Sequence, residues 1–187
     1  MGLAAIRDAE VPVPPKLIGG PAKLLEQYSA PGGHVAYKAR PVPEKRKGKI
    51  GDSLGRSVLL ELAVIKAGGG SRKKLQVATE TFFHNRERLD RIRDLEKGCH
   101  QPPHGIGTFY CFYSYFYVAH ALEELGGGTK RQYRPVLVKH FLDLQKKDGH
   151  WIDSKDHCGE SYGTAMGMLV LTAPSWATPS RQARSTD

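Results

Sequence analysis

Two kinds of hydrophobic pattern alternate along the chain. The first is apolar at nearly every position and occurs in the segments GRSVLLELAVIKAG (55–68), GTFYCFYSYFYVAHALEELG (107–126) and SYGTAMGMLVLTA (161–173). A helix that is apolar on most sides is normally covered by neighbours on most sides. We therefore predict three inner helices, each starting near the first residue of its segment.

The second pattern is amphipathic. Apolar residues recur three and four positions apart at Leu75, Ala78 and Phe82, and again between 137 and 144. This period is that of a helix with one buried face and one solvated face. The pattern predicts two outer helices, and AKLLEQY (22–28) predicts a shorter outer helix before them.

Two glycine-rich segments, AGGGSRK (67–73) and LGGGTKR (125–131), follow the first two apolar helices. Their shared order of three glycines, a hydroxyl residue and two bases is an internal repeat. The glycines suit the left-handed conformation that ends a helix. Ser71 and Thr129 suit the N-cap of the helix that follows. Each segment is predicted to connect two helices tightly.

These patterns predict an all-α fold of three helical hairpins, each with an outer helix followed by an inner one. One core suits a chain of 187 residues. The terminal segments 1–20 and 174–187 are rich in turn-forming and polar residues and are predicted to be disordered, which leaves one domain at 21–173. Its hairpins span about 22–68, 71–126 and 129–173.

The chain carries a formal net charge of +9, from 28 Lys and Arg against 19 Asp and Glu. A positive balance can attract nucleic acid or other anions. Much of the excess lies in KARPVPEKRKGKIGD (38–52), which has the composition of a flexible loop, and NRERLDRIRDLEK (85–97) alternates its signs like a solvated helix face. The charge pattern therefore does not favour nucleic acid as a partner.

The sequence shows no apolar stretch of about 18 residues, and the first residues, MGLAAIRDAE, lack the basic and apolar parts of a secretory signal. We expect no membrane span and a cytoplasmic location. The three cysteines, Cys99, Cys111 and Cys158, are too few and too scattered for a disulfide framework, which agrees with a reducing compartment.

The third hairpin carries a joint that resembles a known family. An outer helix ends in Gln145, Asp148, Gly149 and Trp151, and the next inner helix opens with Tyr-Gly-Thr-Ala at 162–165. This arrangement resembles the repeats of squalene–hopene cyclases and protein prenyltransferase β subunits, and the resemblance extends over roughly 22–173.

The resemblance implies a partial α/α toroid of about three hairpins, whose inner helices surround a cavity for an isoprenoid chain. It also implies that Gln145 and Trp151 tie neighbouring repeats together. The residues alone agree, because Asp148-Gly149 is a turn pair. A Trp placed after such a turn closes the joint by burying ~150–250 Å² of ring surface.

Cyclase chemistry is not expected, because the family's proton-donating Asp-x-Asp-Asp motif is absent. The nearest string, 153–156, has Ser154 and Lys155 inside it, and a lysine beside an acid holds that acid ionised. A thioester like that of complement-like proteins is excluded as well, since Ser161 stands where a Gln is required.

The resemblance to prenyltransferases leaves a second function open, that of a zinc-dependent transferase. Asp156 and Cys158 stand where those enzymes bind catalytic zinc. The family's third ligand, a later histidine, has no counterpart. A nucleophile pair of Cys158 with His157 is not favoured, because adjacent residues seldom face each other. The histidines that would have to complete a zinc site are His157, His150, His100 and His104.

The run FYCFYSYFY (109–117) places seven aromatic residues on one predicted inner helix. Some of them must face the interior of a toroid whichever way the helix is rolled, and aromatic faces can hold an isoprenoid chain or a carbocation. The alternative is that they form the core. The candidates for lining a cavity are Phe109, Tyr110, Tyr113, Phe116, Tyr117, His100 and Tyr162.

We expect a protein without cyclase activity that binds an apolar, isoprenoid-like ligand or a partner chain on a concave aromatic face. No cofactor is expected unless the zinc alternative holds, and whether the protein is an enzyme stays open. Three hairpins would form an open half-ring with uncovered apolar flanks, so we also expect self-association or a complementary chain.

Overall fold

A computed structural model of the chain describes residues 14–27, 53–95, 111–155 and 159–176, together with Pro12 and Val35. These residues form helices and the turns between them, and no strand is found among them, so the predicted all-α class is confirmed. The helices are α1 (Pro15–Glu26), α2 (Leu54–Lys66), α3 (Arg72–Arg93), α4 (Cys111–Leu125), α5 (Gly127–Leu144) and α6 (Glu160–Trp176).

The helices are arranged in two layers. Helix α4 packs against α2 on one side and α6 on the other, so these three helices form one row. Helix α3 packs on α2 and α4, α5 packs on α4 and α6, and α1 packs on α2. The helices predicted from continuous apolar runs therefore form the inner row. The amphipathic helices α3 and α5 form a second layer packed against one face of that row.

The core is centred where α3, α4 and α5 meet. Four fully buried aromatic rings occupy this region. The ring centroids of Phe82 and Tyr115 lie 4.9 Å apart in edge-to-face geometry, and those of Phe112 and Phe141 lie 4.8 Å apart. Burying each such side chain contributes about 1.5–3 kcal/mol, so these contacts hold two successive hairpins together.

Neighbouring inner helices approach each other closely at one point between α2 and α4. A Cβ atom added at Gly55 would overlap the side chain of Ser114. Only glycine permits this spacing, which allows the apolar residues on either side of it to interlock.

The first glycine-rich joint ends α2 as the sequence predicts. Gly68 and Gly70 have φ of 89° and 71°, and the amide of Gly69 donates to the carbonyl of Val64. These left-handed residues satisfy the last carbonyls of the helix and turn the chain into α3. Ser71 stands at the N-cap position of α3, although its side chain makes no capping hydrogen bond.

The second joint differs from the prediction that Thr129 is an N-cap. Helix α5 begins at Gly127, and Gly126 is its N-cap residue with φ of 59°. Because α4 ends at Leu125, Gly126 and Gly127, which both have positive φ (59° and 50°), reverse the chain, and Thr129 is already inside the next helix. The prediction for Thr129 is therefore wrong.

Two further boundaries, and the burial of one charged run, differ from the sequence pattern. Helix α1 begins at Pro15, inside the stretch predicted to be disordered, with a proline where the first helical turn accepts one. Helix α6 continues to Trp176. The alternating-charge run is the second half of α3, and its Leu89 and Ile92 are buried.

No helix among the described residues is long and apolar enough to cross a membrane.

Candidate functional site

Helix α4 has two aromatic faces that differ in their surroundings. Phe112 and Tyr115 are fully buried against the outer helices. On the opposite side Tyr113 is 43% exposed, and the residues three, four and seven positions later are only partly buried. We call this second group, Tyr113, Phe116, Tyr117 and His120, the aromatic stripe.

The rings of the aromatic stripe are ordered by contacts with one another. Tyr113 and Tyr117 have centroids 4.7 Å apart at 76°, and Phe116 and Tyr117 are 5.1 Å apart at 77°. Phe116 and His120 are 4.5 Å apart at 69°. Such edge-to-face pairs contribute about 0.5–1.5 kcal/mol each beyond area burial, so the stripe is a preformed surface.

Two polar groups of the aromatic stripe are held in their neutral forms. Burial raises the pKa of the Tyr117 hydroxyl, and its hydrogen bond with Tyr113 raises that pKa further. Burial lowers the pKa of His120, and the nearby Lys66 lowers it again, against an opposing effect of Glu123. The Tyr117 phenol and the His120 imidazole therefore both favour the uncharged form.

Ion pairs border the stripe where α4 ends. Lys66 Nζ lies 2.7 Å from Glu124 Oε2, and an Arg72 guanidinium nitrogen lies 3.3 Å from Glu124 Oε1. Lys130 Nζ lies 2.5 Å from Glu123 Oε2. Each of these three bases thus has a carboxylate partner.

The flanking inner helices extend the exposed surface. On α2, Leu59 and Ala63 are partly buried on the side away from the core. On α6, the exposed residues follow a helical spacing and include Ala165 and Met168, the latter 57% exposed. Tyr162, a predicted cavity residue, is partly buried and packs against the core. Within the described ranges, the outer helices cover only the opposite side of α4.

Several predicted site residues lie outside the part of the chain that the structure describes. These are the cavity candidates Phe109, Tyr110 and His100, the further histidine His104, and the zinc candidates Asp156, His157 and Cys158. Among the residues that are described, no group of three or more His, Cys, Asp or Glu side chains could hold a metal ion.

The predicted joint after α5 is a compact turn. Gln145 Nε2 donates to the carbonyl of Gly149 at 2.9 Å, and Gly149 has φ of 94°. Asp148 Oδ1 lies 2.7 Å from His150 Nδ1 at the exposed edge of the turn. The side chain of Gln145 therefore stabilises the turn that places Trp151 between α5 and α6.

Trp151 connects α5 with α6. It is 5% exposed, and its indole Nε1 donates to the carbonyl of Phe141 at 2.7 Å. Its backbone amide donates to Thr164 Oγ1 at 3.1 Å. On α6, a Cβ atom at Gly163 would overlap the Trp151 carbonyl, and one at Gly167 would lie 2.9 Å from the indole ring. Gly163 therefore leaves space for the backbone of Trp151, and Gly167 leaves space for its indole ring.

A polar cluster of one buried and two partly buried side chains joins α3, α4 and α5. The Tyr115 hydroxyl donates to Asp90 Oδ1 at 3.1 Å, and His140 Nε2 lies 3.3 Å from the same oxygen. The ring of His140 stacks on that of Tyr115 at 5.0 Å. Burial and the nearby Asp90 carboxylate raise the pKa of Tyr115. Because Tyr115 is fully buried, the cluster stabilises the helices rather than meeting a ligand.

Sequence patterns did not reveal this cluster. Asp90 belongs to a run of alternating charges that predicts solvation, and His140 stands in an amphipathic helix. The available signal was weak: Asp90 lies between the apolar Leu89 and Ile92, which are both buried.

A cleft of about 340 Å³ lies elsewhere, between the ends of α3 and α5 and the joint. Arg93 in its wall donates to the carbonyl of Ile152 at 3.2 Å and contacts Asp94 at 3.0 Å. The lining carries both acidic and basic side chains. Basic side chains are favourable beside helix C-termini whether or not a ligand binds. The cleft is lined by Arg93, Asp94, Asp143, Leu144, Gln145, Lys146, Ile152 and Lys155.

The aromatic stripe thus combines Tyr113, which is exposed, with Phe116 and Tyr117, which are partly buried and pack against the core. Any functional interpretation rests on these residues and contacts, because no protein-family model, no curated protein and no solved structure matches the chain.

Proposed function

We propose that the protein binds an apolar, isoprenoid-like molecule on the aromatic stripe of α4, without cyclase activity. The observation that carries this proposal is the exposure of Tyr113, which is 43% accessible in the central helix of the inner row. Its ring is held in place by Tyr117 while its outer side is open. Tyr113 contacts the neighbouring rings of the stripe, and apolar residues grouped in this way mark an interaction site more often than an isolated exposed residue does.

The arrangement of the helices supports a kinship with toroid repeats. An inner row of α2, α4 and α6 with α3 and α5 behind it is the order that a partial α/α toroid would have. In such a fold the aromatic stripe would face the concave side. Gln145 and Trp151 would then perform the repeat-tying role that the sequence resemblance implies.

The chemistry of the stripe favours binding over catalysis. Its polar groups are two phenols, which are hydrogen-bonded to each other, and an imidazole whose lowered pKa favours the neutral form. Aromatic faces attract alkene chains through dispersion and hydrophobic contact, which require no charge.

The proposal is tested by titrating the purified protein with a fluorescent farnesol analogue. A double variant, Tyr113→Ser with Met168→Ser, removes two exposed apolar side chains from the inner row. We expect its affinity to fall by about tenfold, which corresponds to about 1.4 kcal/mol. The matched control is Leu142→Ser, which removes an equally exposed side chain from the outer helix α5.

Leu142→Ser should leave the affinity unchanged. Equal losses in both proteins would mean that the analogue adsorbs to any exposed apolar residue, and the absence of saturable binding to the unmodified protein would refute the proposed function.

A zinc-dependent transferase is the second candidate function, favoured by the pattern Asp156-x-Cys158. Elemental analysis of the purified protein separates it from the first. We expect no stoichiometric zinc. One zinc ion per chain that is lost in Cys158→Ser would make the transferase the leading function, with Asp156 and His157 as the next ligands to replace.

A further inference from the structure

We propose that α1 lies on the surface of membranes that contain anionic lipids, with the helix axis parallel to that surface. The proposal goes beyond the proposed function and does not use the aromatic stripe. It is based on the exposed leucines and lysines of α1 and on the way they are arranged around the helix.

One side of α1 attaches the helix to the rest of the protein. Ala22 is buried, and Leu25 packs against the apolar cluster that contains Leu60 and Val64 of α2. Residues three and four positions apart share a side of a helix, so Ala22 and Leu25 together mark the side that the fold covers.

Another side of α1 carries a row of exposed leucines. Leu17 is 52% exposed and Leu24 is 50% exposed. They stand seven positions apart, which places them on the same side of the helix, two turns from each other. The other exposed large apolar side chains of the described residues stand singly, one on each of the helices α3 to α6: Val77, Tyr113, Leu142 and Met168.

A row of lysines runs beside the leucines. Lys16 and Lys23 are exposed and also stand seven positions apart. Gly20 lies between the two rows, and a Cβ atom added there would meet no atom within 4 Å, so the surface between the rows is open. We call these five residues, Lys16, Leu17, Gly20, Lys23 and Leu24, the leucine-lysine face.

The positive charge of the leucine-lysine face is not neutralised by the acidic residue of α1. That residue, Glu26, lies toward α2: burial raises the pKa of Glu61 in α2, and Glu26 raises it further against an opposing effect of Lys74. Among the described residues, no carboxylate pairs with Lys16 or Lys23. The two ammonium groups are therefore available to an external anion.

An anionic membrane surface accommodates both rows at once. Its head groups attract the lysines, and its interfacial region accepts the leucine side chains. Because lysine stems are apolar and flexible, the ammonium groups can stay among the head groups while the leucines reach the acyl boundary. The net charge of +9 adds long-range attraction to the same surface. An acidic protein segment would pair with the lysines but would not account for the leucines beside them.

The test measures co-sedimentation of the full chain with vesicles of phosphatidylcholine, alone and mixed with phosphatidylserine. We expect binding to the mixed vesicles to be at least about tenfold tighter, and to weaken as salt is added. The double variant Lys16→Gln with Lys23→Gln should lose about tenfold of the affinity for the mixed vesicles. Leu17→Ser with Leu24→Ser should weaken the same binding by about tenfold as well.

Two matched controls remove the same kinds of side chain elsewhere. Lys146→Gln with Lys147→Gln removes two exposed bases after α5, and Val77→Ser with Leu142→Ser removes two comparably exposed apolar side chains from the outer helices. Both should bind like the unmodified protein.

Equal losses in the controls would show that binding is spread over the whole surface, and they would overturn the proposal. A loss in the lysine variant with none in the leucine variant would identify α1 as a site for any polyanion, an acidic protein among them, and would overturn the membrane assignment. Equal binding to neutral and mixed vesicles, or binding to neither, would overturn it too.

Discussion

Trp151 shows how one side chain fixes the contact between two elements. Its indole donates to the end of α5 through the Phe141 carbonyl, and its ring lies against Gly167 of α6. The backbone amide of the same residue donates to Thr164. Because these contacts run in three directions, a smaller residue cannot replace the indole without leaving a cavity.

We expect Trp151→Ala to lower the free energy of unfolding by about 3–5 kcal/mol, since the side chain is only 5% exposed and the glycines around it cannot fill the space. Urea denaturation followed by circular dichroism measures the change. Trp151→Phe keeps most of the packing but loses the hydrogen bond to Phe141, so its loss should be clearly smaller. A near-zero change for Trp151→Ala would show that the joint is not packed.

His120 should make the protein less stable in mild acid. Burial lowers its pKa in the folded state, so the unfolded chain takes up a proton at a higher pH than the folded chain does. The stabilising contribution is present above the unfolded pKa and is lost as the pH falls through the folded pKa. Denaturation midpoints between about pH 7.5 and about pH 5 report the effect.

In His120→Gln the decline in stability over this pH range should be shallower than in the unmodified protein. His84→Gln makes the same replacement on the exposed side of α3 and serves as the control. An identical pH dependence in His120→Gln and the unmodified protein would contradict the prediction.

At the scale of the helices, arginines of the outer helices α3 and α5 donate to backbone carbonyls of the inner helix that follows each of them. Arg72 at the start of α3 donates to the last carbonyls of α4, and Arg134 of α5 donates to the carbonyls of Val170 and Leu171 on α6. At the other end of α4, Asp153 Oδ1 accepts the Phe112 amide at 2.7 Å. Charged side chains from distant segments thus replace local caps.

The helix α6 offers a test of close packing at this scale. Gly→Ala inside a helix normally stabilises by about 0.5–1 kcal/mol. At Gly163 we expect the opposite, a loss of about 1–3 kcal/mol, because the added Cβ would overlap the Trp151 backbone. Gly20→Ala in α1, where no atom lies within 4 Å of the added Cβ, should be neutral or stabilising. Chemical denaturation measures the free energy of unfolding of both variants. A stabilised Gly163→Ala would mean that α6 and the Trp151 backbone are further apart than the structure places them.

Among the described residues, the inner row consists of α2, α4 and α6 in that order. Helix α6 stands at one end of the inner row, and it contacts α4 and α5 while Met168 stays 57% exposed. Repeat arrays normally cover their ends with polar residues, and a few hundred Å² of uncovered apolar surface is unfavourable by several kcal/mol at ~25 cal/mol per Å².

We therefore expect the protein to self-associate, or to require a complementary chain, through the end of the array at α6. Gel filtration with light scattering at micromolar concentration tests self-association. Met168→Lys should shift the population toward the monomer, whereas Val77→Lys, a comparably exposed position on α3, should not. A stable monomer that binds no hydrophobic dye would contradict the prediction.

The sequence by itself determined the helical class and the assignment of helices to rows. Continuous apolar runs identified α2, α4 and α6, and amphipathic spacing identified α3 and α5, because burial on most sides or on one side leaves a direct mark on the pattern. Glycine joints placed the first helix end correctly, since Gly68 needs a positive φ that few other residues adopt.

Only the tertiary structure decided which aromatic residues are core and which are surface. In 109–117 seven of nine positions are aromatic, and the polar residue among them, Ser114, is itself buried, so the pattern does not set the phase of the helix and Tyr115 could not be told from Tyr113. The caps provided by Arg72 and Asp153, and the contact of Asp90 with Tyr115, join residues 25 to 53 positions apart. Such pairs form because packed layers bring distant segments together, and local spacing holds no record of that packing.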